Sequence, residues 1–436
     1  MRICLFEDAR VADLAPLTLT RPAFDLLCGL TPLRDKHRTY FAADTVGYLV
    51  RPHLADLTRE RNPHAPVNDS LWLRAGSTVL VNGRWVPPTR PPGTPAPTTR
   101  ELFANGPFLG LCDGEVAFAA VTPELVEGLT PANLDERLDD GLSGLPRVEV
   151  GGFVARRLWD LVDRNGRQIA ADFPAAVDPD LTGFHPPTLH LVGSASDLFV
   201  HPTAKLDPLV VADTTGGPVV VGAGAVVHAF TKLEGPCFVG PGTRVSGAKI
   251  KAGTSLGPQC RIGGEVEAAI VQGYSNKAHD GFLGNSFVGE WVNLGAGTHT
   301  GNLRTDYAPV TIHADGRRIP TGKMKLGSFI GDHAKSGLSV LLNCGTVVGA
   351  FASLLPTGEL MPRDVPSFCR ADRAGVGSDE ANLEPLLKTA DAMMKRRGQH
   401  LTKTLEALYR AVAAQTAGDR RRALPGGDAV RLRRSA

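Results

Sequence analysis

The sequence predicts an α/β domain followed by a parallel β-solenoid and a C-terminal α-helical segment. Three observations carry this prediction. Apolar residues recur every six positions through the centre of the chain. The chain holds 49 glycines, more than an ordinary domain needs. Short apolar strand candidates, separated by turn and helix signals, precede the repeat.

A chain of 436 residues exceeds one ordinary core, so two or three domains are expected. The front region opens with a strand at Arg2–Phe6, and a second strand at Thr78–Val81 runs into the turn Asn82-Gly83-Arg84. Between them, Leu17–Lys36 carries Arg21-Pro22 and ends in Arg34 and Lys36. Pro87–Pro97 reads as an exposed loop, and Phe108–Leu111 with Glu115–Ala120 as a hairpin around Cys112-Asp113-Gly114. Leu158, Trp159, Leu161 and Val162 have helical spacing within Ala155–Asp163. These elements make one α/β domain over 1–185, with His185-Pro186-Pro187 as connector.

From about residue 190 the period changes. Val221, Val227, Leu233, Val239 and Val245 are spaced by six, and Ile250, Leu256 and Ile262 resume the six after a step of five. Leu283 follows, then Val288, Leu294 and Thr300; the last run is Ile330, Ser336, Leu342, Val348 and Leu354. A hexapeptide period points one residue per face into a triangular coil, and glycines serve the corners where φ turns positive. Leu303–Lys325 interrupts the period and is expected to project as a loop. A β-sandwich would show period two with turns every 8–12 residues, which this region lacks. The solenoid is placed at 186–372. A helical stripe through Leu383, Leu386, Leu387, Ala390, Met393 and Met394 resumes at Leu401, Leu405, Leu408, Tyr409 and Val412, giving a helical segment at 373–416 with Lys395, Arg396 and Arg397 on its exposed face. The Arg-rich, Pro-Gly-Gly-containing tail, 417–436, is expected to be disordered.

Net charge is +2, which argues against a dedicated nucleic-acid binder. Seven scattered cysteines without C-x-x-C pairs read as reduced thiols, hence a cytoplasmic protein. No apolar run of 18 exists, and the N-terminus lacks the apolar core of a signal peptide, so no membrane association is expected.

The stretch Gly273–Thr300 holds the candidate chemistry. A neutral imidazole can take a proton near neutral pH, and His279 begins this stretch. Alone, His279 would read as a loop histidine hydrogen-bonded at a coil corner. Its surroundings give it more. His279 lies four residues before Leu283-Gly284, and Asn293-Leu294-Gly295-Ala296-Gly297-Thr298 follows in register. Ala248-Lys249-Ile250-Lys251-Ala252-Gly253 lies upstream. This set resembles the acetyltransferase half of the bifunctional N-acetylglucosamine-1-phosphate uridyltransferase / glucosamine-1-phosphate acetyltransferase (GlmU-like) family, over about residues 190 to 370. The whole chain resembles an alternative branch described as sugar nucleotidyltransferases. The shared segments are Leu5-Phe6-Glu7-Asp8, Thr20-Arg21-Pro22, Ile262–Glu267, Tyr274-Ser275-Asn276-Lys277 and Gly331–Gly337.

The resemblance implies a nucleotidyltransferase-like front domain and a left-handed parallel β-helix acting as an acyltransferase. It implies His279 as general base, Asn293 on the amino sugar, and Ala296, Asn302 and Ala350 along an acetyl-CoA groove between the chains of a homotrimer. Backbone amides at the glycine-rich turns would stabilise the oxyanion. The family's sugar-phosphate lysine falls near Ala269 and its tyrosine at Phe282, so phosphate recognition is assigned to Lys249, Lys251 or Lys277. Asn293 also reads as an ordinary corner residue, Lys249 and Lys251 as a solvated basic edge, and His299 and His333 as solvated coil positions.

In the front domain Arg21 and Lys36 are the candidates for a nucleotidyl site taking UTP or another nucleoside triphosphate. The resemblance implies a G-x-G-T-R loop, which is absent here, and a Mg²⁺-binding aspartate where Arg84 stands; Asp8, Asp25 or Asp35 are the candidate substitutes. Three functions compete. One is acyl transfer from acetyl-CoA to an amino sugar phosphate in UDP-N-acetylglucosamine or related nucleotide-sugar synthesis. The second is nucleotidyl transfer alone, with the solenoid as an oligomerisation or effector platform. The third is a trimeric scaffold with a basic tail. The histidine-to-asparagine register favours the first.

Overall fold

The computed structural model describes all residues except 91–92, 178–180, 182–184, 315, 380–381 and 424–436. Contacts divide the chain into two compact units. The first comprises Met1–Leu26 and Thr31–Arg157, the second Leu27–Leu30 and everything from Leu158 onward. The first unit is thus shorter than the expected 1–185.

The first unit is built on a mixed six-stranded sheet. Its strands are β1 (Arg2–Phe6), β2 (Thr45–Leu49), β3 (Thr78–Asn82), β4 (Phe108–Cys112), β5 (Glu115–Val121) and β6 (Arg147–Glu149), in the spatial order β2-β1-β3-β5-β4-β6. β1 is parallel to both neighbours, with Ile3 opposite Val46 and Val79. A parallel central strand is covered on both faces, which explains its continuous run Ile3-Cys4-Leu5-Phe6, all buried. The β4–β5 hairpin turns at Asp113 (φ 52°) and Gly114 (φ 77°), the paired left-handed geometry that suits a two-residue hairpin loop. Helix α1 (Leu33–Phe41) lays Phe41 against Phe118, with ring centroids 5.3 Å apart.

The second unit is the solenoid with its helices. One face is a nine-stranded parallel sheet running from Leu198–Val200 to Asp364–Val365. Its inward column is Val200, Val221, Val239, Leu256, Val271, Val288, Ile330, Val348 and Val365, paired in register and buried throughout. Every apolar position expected to point inward is buried, as are the two polar ones, Thr300 and Ser336. The interruption is an antiparallel hairpin, Thr311–Ala314 with Arg317–Pro320, tied at its base by the Leu303–Lys325 bridge. The antiparallel pair Cys369–Asp372 and Gly375–Ser378 ends the coils.

Helix α2 (Leu158–Ala176) extends well past the expected Asp163 and belongs to this unit. The reason is its buried Asn165, whose amide donates to the Gly253 carbonyl (2.8 Å) and Ser255 Oγ (2.9 Å) and accepts from Gly29 N (2.7 Å). Ile169 and Phe173 pack on Phe199, Val220 and Phe238 of the solenoid. The expected C-terminal helix is two: α3 (Leu383–Lys395) and α4 (Lys403–Gln415), parted at Gly398 (φ 68°). Part of the tail expected to be disordered is a helix, α5 (Ala417–Ala423). Its Arg420 is buried, donating to the Ala413 carbonyl (2.7 Å) and Thr416 Oγ1 (2.8 Å). Those bonds anchor the helix; residues 424–436, including the remaining tail arginines Arg431, Arg433 and Arg434, lie outside the described residues. None of the seven cysteines is in a disulfide and all are buried, and no described helix is long and apolar enough to cross a membrane.

Candidate active site

His279 lies on an exposed coil corner just after the strand Asn276–Lys277. Among the described residues its ring has no hydrogen-bond partner. The corner beneath it is rigid. Asn276-Lys277 pairs with Arg261-Ile262, which puts Lys277 in the inward column occupied by Val227, Val245 and Ile262 on earlier coils. Lys277 is therefore buried, not presented to a sugar phosphate. Its ammonium turns back to donate to the carbonyls of Gly263 (2.8 Å) and His279 (2.9 Å). Burial pushes this amine down to about 8. Gly264 (φ 70°) faces the ammonium and the Gly281 carbonyl, where a Cβ would come within 2.9 Å and 2.8 Å of them.

The next coil completes the corner. Gly297 N donates to the Asp280 carbonyl (2.9 Å), so the turn Ala296–Thr298 stacks directly on the turn of His279. Ser339 N then donates to the Ala296 carbonyl (2.7 Å). His279 and Ala296 thus share one corner. On the following face His299 Nδ1 accepts from Phe282 N (3.2 Å), so this exposed histidine is hydrogen-bonded and not merely solvated. The Phe282 ring lies across Gly284, where a Cβ would meet it at 2.4 Å. Asn302 borders that glycine and donates to Asn285 Oδ1 (2.9 Å).

The other expected residues lie elsewhere. Asn293 is on the face that leads into the corner, and its Oδ1 accepts from the Asn276 amide (3.2 Å). Lys249 and Lys251 form a basic edge closed by acids, with Lys251 2.9 Å from Glu265 and 3.5 Å from Glu267 and Lys249 4.0 Å from Glu265. Ala269 is fully buried inside the coil. Ala350 is fully buried at a different corner, its carbonyl accepting from Phe368 N (2.8 Å).

That second corner is lined with aromatic rings. Tyr274, Trp291, His333, Phe351 and Phe368 all adopt left-handed φ between 55° and 60° at successive turns. Their rings stack in order, with centroids 4.4, 6.3, 4.6 and 5.0 Å apart. His333 is fully buried within the stack, and its Nε2 bonds Tyr409 Oη of α4 at 2.9 Å. The expectation of a solvated His333 is therefore corrected: the helices cover it. The spacing of these residues is irregular because of the inserted hairpin, but an aromatic near each coil repeat is a signal the sequence does contain.

In the first unit the carboxyl ends of β1 and β3 are where a nucleotide would sit in an open α/β sheet. There Arg84, itself buried, donates to both Asp8 oxygens (2.8 and 2.5 Å), to Glu115 (2.8 Å) and to the Ala155 carbonyl (3.1 Å). Asn82 also donates to Asp8 (2.9 Å). Glu7 receives Arg51 on both oxygens. Asp25 faces Arg34 (3.2 Å) and Arg61 (4.0 Å). A guanidinium thus occupies the place of a cation, and Asp8 and Asp25 face arginines. With Asp35 the last candidate, and no cluster of three His, Cys, Asp or Glu that could hold a metal among the described residues, this place does not fit Mg²⁺. Arg21 and Lys36 are both buried, and Lys36 donates to Thr31 Oγ1 (3.2 Å).

Residues 3–178 match the sugar nucleotidyl transferase family model. The chain is 40% identical over 101 residues to a bifunctional sugar-1-phosphate nucleotidylyltransferase/acetyltransferase of Sulfurisphaera tokodaii, covering 23% of this chain and 25% of the relative. It is 30% identical over 195 residues to the bifunctional protein GlmU of Jannaschia sp., covering 44% of this chain and 37% of that one. The chain thus spans between a quarter and two fifths of the length of these curated relatives. A Francisella novicida UDP-N-acetylglucosamine acyltransferase structure aligns with 51% of this chain and 90% of its own at 15% identity, with a TM-score of 0.27.

Proposed function

We propose, from the premise that this chain belongs to the GlmU-like family, that it is a transferase moving an acetyl group from acetyl-CoA to an amino sugar phosphate. The place of this reaction is nucleotide-sugar synthesis of the UDP-N-acetylglucosamine kind. One observation supports it above the rest: His279 presents an exposed imidazole without a partner among the described residues, on a corner held by the Lys277 ammonium.

In this reading the amine attacks the thioester carbonyl and passes its proton to His279. The N–C bond forms, the C–S bond breaks, and the CoA thiolate leaves. Backbone N–H groups at the glycine-rich turns face the oxyanion. Ala296 and Asn302, on the corner and face beside His279, border the acetyl-CoA path, and Asn293 holds the sugar. Ala350, buried at the aromatic corner, has no such part. The acting form is a homotrimer in the cytoplasm, a compartment with which seven cysteines outside any disulfide agree. The front domain is nucleotidyltransferase-like in fold; its Arg84–Asp8–Glu115 cluster favours a framework or binding role over turnover.

The test is direct. Full-length protein with acetyl-CoA and glucosamine-1-phosphate should release free CoA. Turnover by wild type that persists in His279→Ala would remove His279 from the role of base. UTP, N-acetylglucosamine-1-phosphate and Mg²⁺ should release no pyrophosphate from the same preparation.

A further inference from the structure

We propose that the solenoid corner formed by Tyr274, Asn276 and Trp291, with the guanidinium groups of Arg244, Arg261, Arg396 and Arg397, binds a phosphoryl group. A small cleft there is lined by Tyr274, Asn276, Trp291, Met393, Arg396 and Arg397. Arg397, just past α3, donates through Nη2 to Asn276 Oδ1 at 2.7 Å, and its Nε is buried with no hydrogen-bond partner. Arg244, Arg261 and Asn276 are lateral neighbours on three successive coils. Arg261 spends one nitrogen on the carbonyls of Gly242, Gln259 and Cys260.

Charge balance separates this corner from the rest of the solenoid. Lys249 and Lys251 are matched by Glu265 and Glu267. None of the four arginines makes an ion pair among the described residues. Burial, then the charges of neighbouring arginines, lower the Arg261 and Arg397 guanidiniums, while Cys260 acts in the other direction. Clustering like charges costs free energy, and a dianion in the cleft would offset that cost. Arginine forks match phosphate oxygens two at a time, and the buried Nε is a donor waiting for such an oxygen. Asn276 ties the cleft to Asn293, so a sugar phosphate and a free pyrophosphate are the two sources of the phosphoryl group to be told apart.

The experiment is calorimetric titration of the full chain at low ionic strength with inorganic phosphate, pyrophosphate and glucosamine-1-phosphate in turn. At least one should bind. Arg261→Gln and Arg397→Gln should each weaken it by about tenfold or more, since each removes a charge-assisted contact. Should Arg397→Gln fail to fold, the exposed Arg396→Gln and Arg244→Gln should still weaken binding severalfold. Arg370→Gln, whose guanidinium is paired with Asp372, should change nothing. The tightest of the three ligands identifies the source. Binding retained in His279→Ala keeps this site separate from the acyl-transfer reading. No heat from any of the three, or equal affinity in Arg261→Gln and Arg397→Gln, overturns the proposal.

Discussion

His279 and His333 both sit at corners of one solenoid, and the two corners are built in opposite ways. The His279 corner is made of Gly264, Gly281 and Gly297 on neighbouring coils, so its rim is low and the imidazole stands in solvent. The His333 corner puts bulky rings at left-handed φ, a conformation that costs a non-glycine residue free energy. Stacking along the ladder and packing of Tyr409 from α4 against His333 and Phe351 offset that cost. The same coil geometry therefore yields an open floor or a sealed wall, depending on whether the turn residue is small or aromatic. A histidine at the floor is free to do chemistry, whereas one in the wall is a packing residue with a hydrogen bond.

The largest effect that tests this contrast is on rate. His279→Ala should lower CoA release by about a hundredfold or more, as loss of a general base does, with an unchanged unfolding midpoint. His333→Ala should do the reverse. It should cost about 3 kcal/mol in denaturant unfolding, from the cavity in the stack and the lost bond to the Tyr409 hydroxyl, while the folded fraction keeps its rate within about twofold. A stable His333→Ala protein with no turnover would break the division between the two corners.

The next effect concerns what holds the open corner. The Lys277 amine is lowered to about 8 by burial. Below that pH the ammonium is charged in both folded and unfolded states, and its burial cost is fully felt. Between about 8 and the unfolded lysine value near 10.4, the folded chain releases its proton first, so stability rises with pH. Comparing Lys277→Met with wild type should isolate a rise of about 2 kcal/mol across that window, present only in wild type. Equal pH slopes in urea unfolding of the two proteins would mean that Lys277 does not sit charged inside the coil.

Much of this was legible beforehand. Every apolar position picked out by the period of six points inward, because a solenoid core repeats one simple demand, but the period left out Val200, Val271 and Val365 of the same column. It skipped position 277, since a lysine in an apolar column looks like a loop; only Val271 and Leu283, six residues to either side, give it away. Tyr274-Ser275-Asn276-Lys277 and Gly331–Gly337 stood out as motifs, but their parts in the ladder depend on which rings the coils bring together. That pairing needs the length of the inserted hairpin, which spacing alone does not supply. Arg397 read as an exposed helix residue for the same reason. Its position past the end of α3 aims it back at Asn276. The tail helix was hidden by its composition, because arginines suggest solvent and Arg420 is instead buried against Phe368.

The smallest effect concerns one hydrogen bond in the wall. Tyr409 Oη and His333 Nε2 are 2.9 Å apart, and the Tyr409 ring also meets Phe351 edge-on at 4.8 Å. Tyr409→Phe keeps the ring contact and removes only the hydroxyl. A net buried hydrogen bond is worth about 1 kcal/mol. The expected loss is therefore about 1 kcal/mol, well short of His333→Ala. In a double-mutant cycle the two changes should couple, since both act on the same bond. Additive losses would place the cohesion of this corner in ring stacking alone, and would leave His333 replaceable there by any flat aromatic ring.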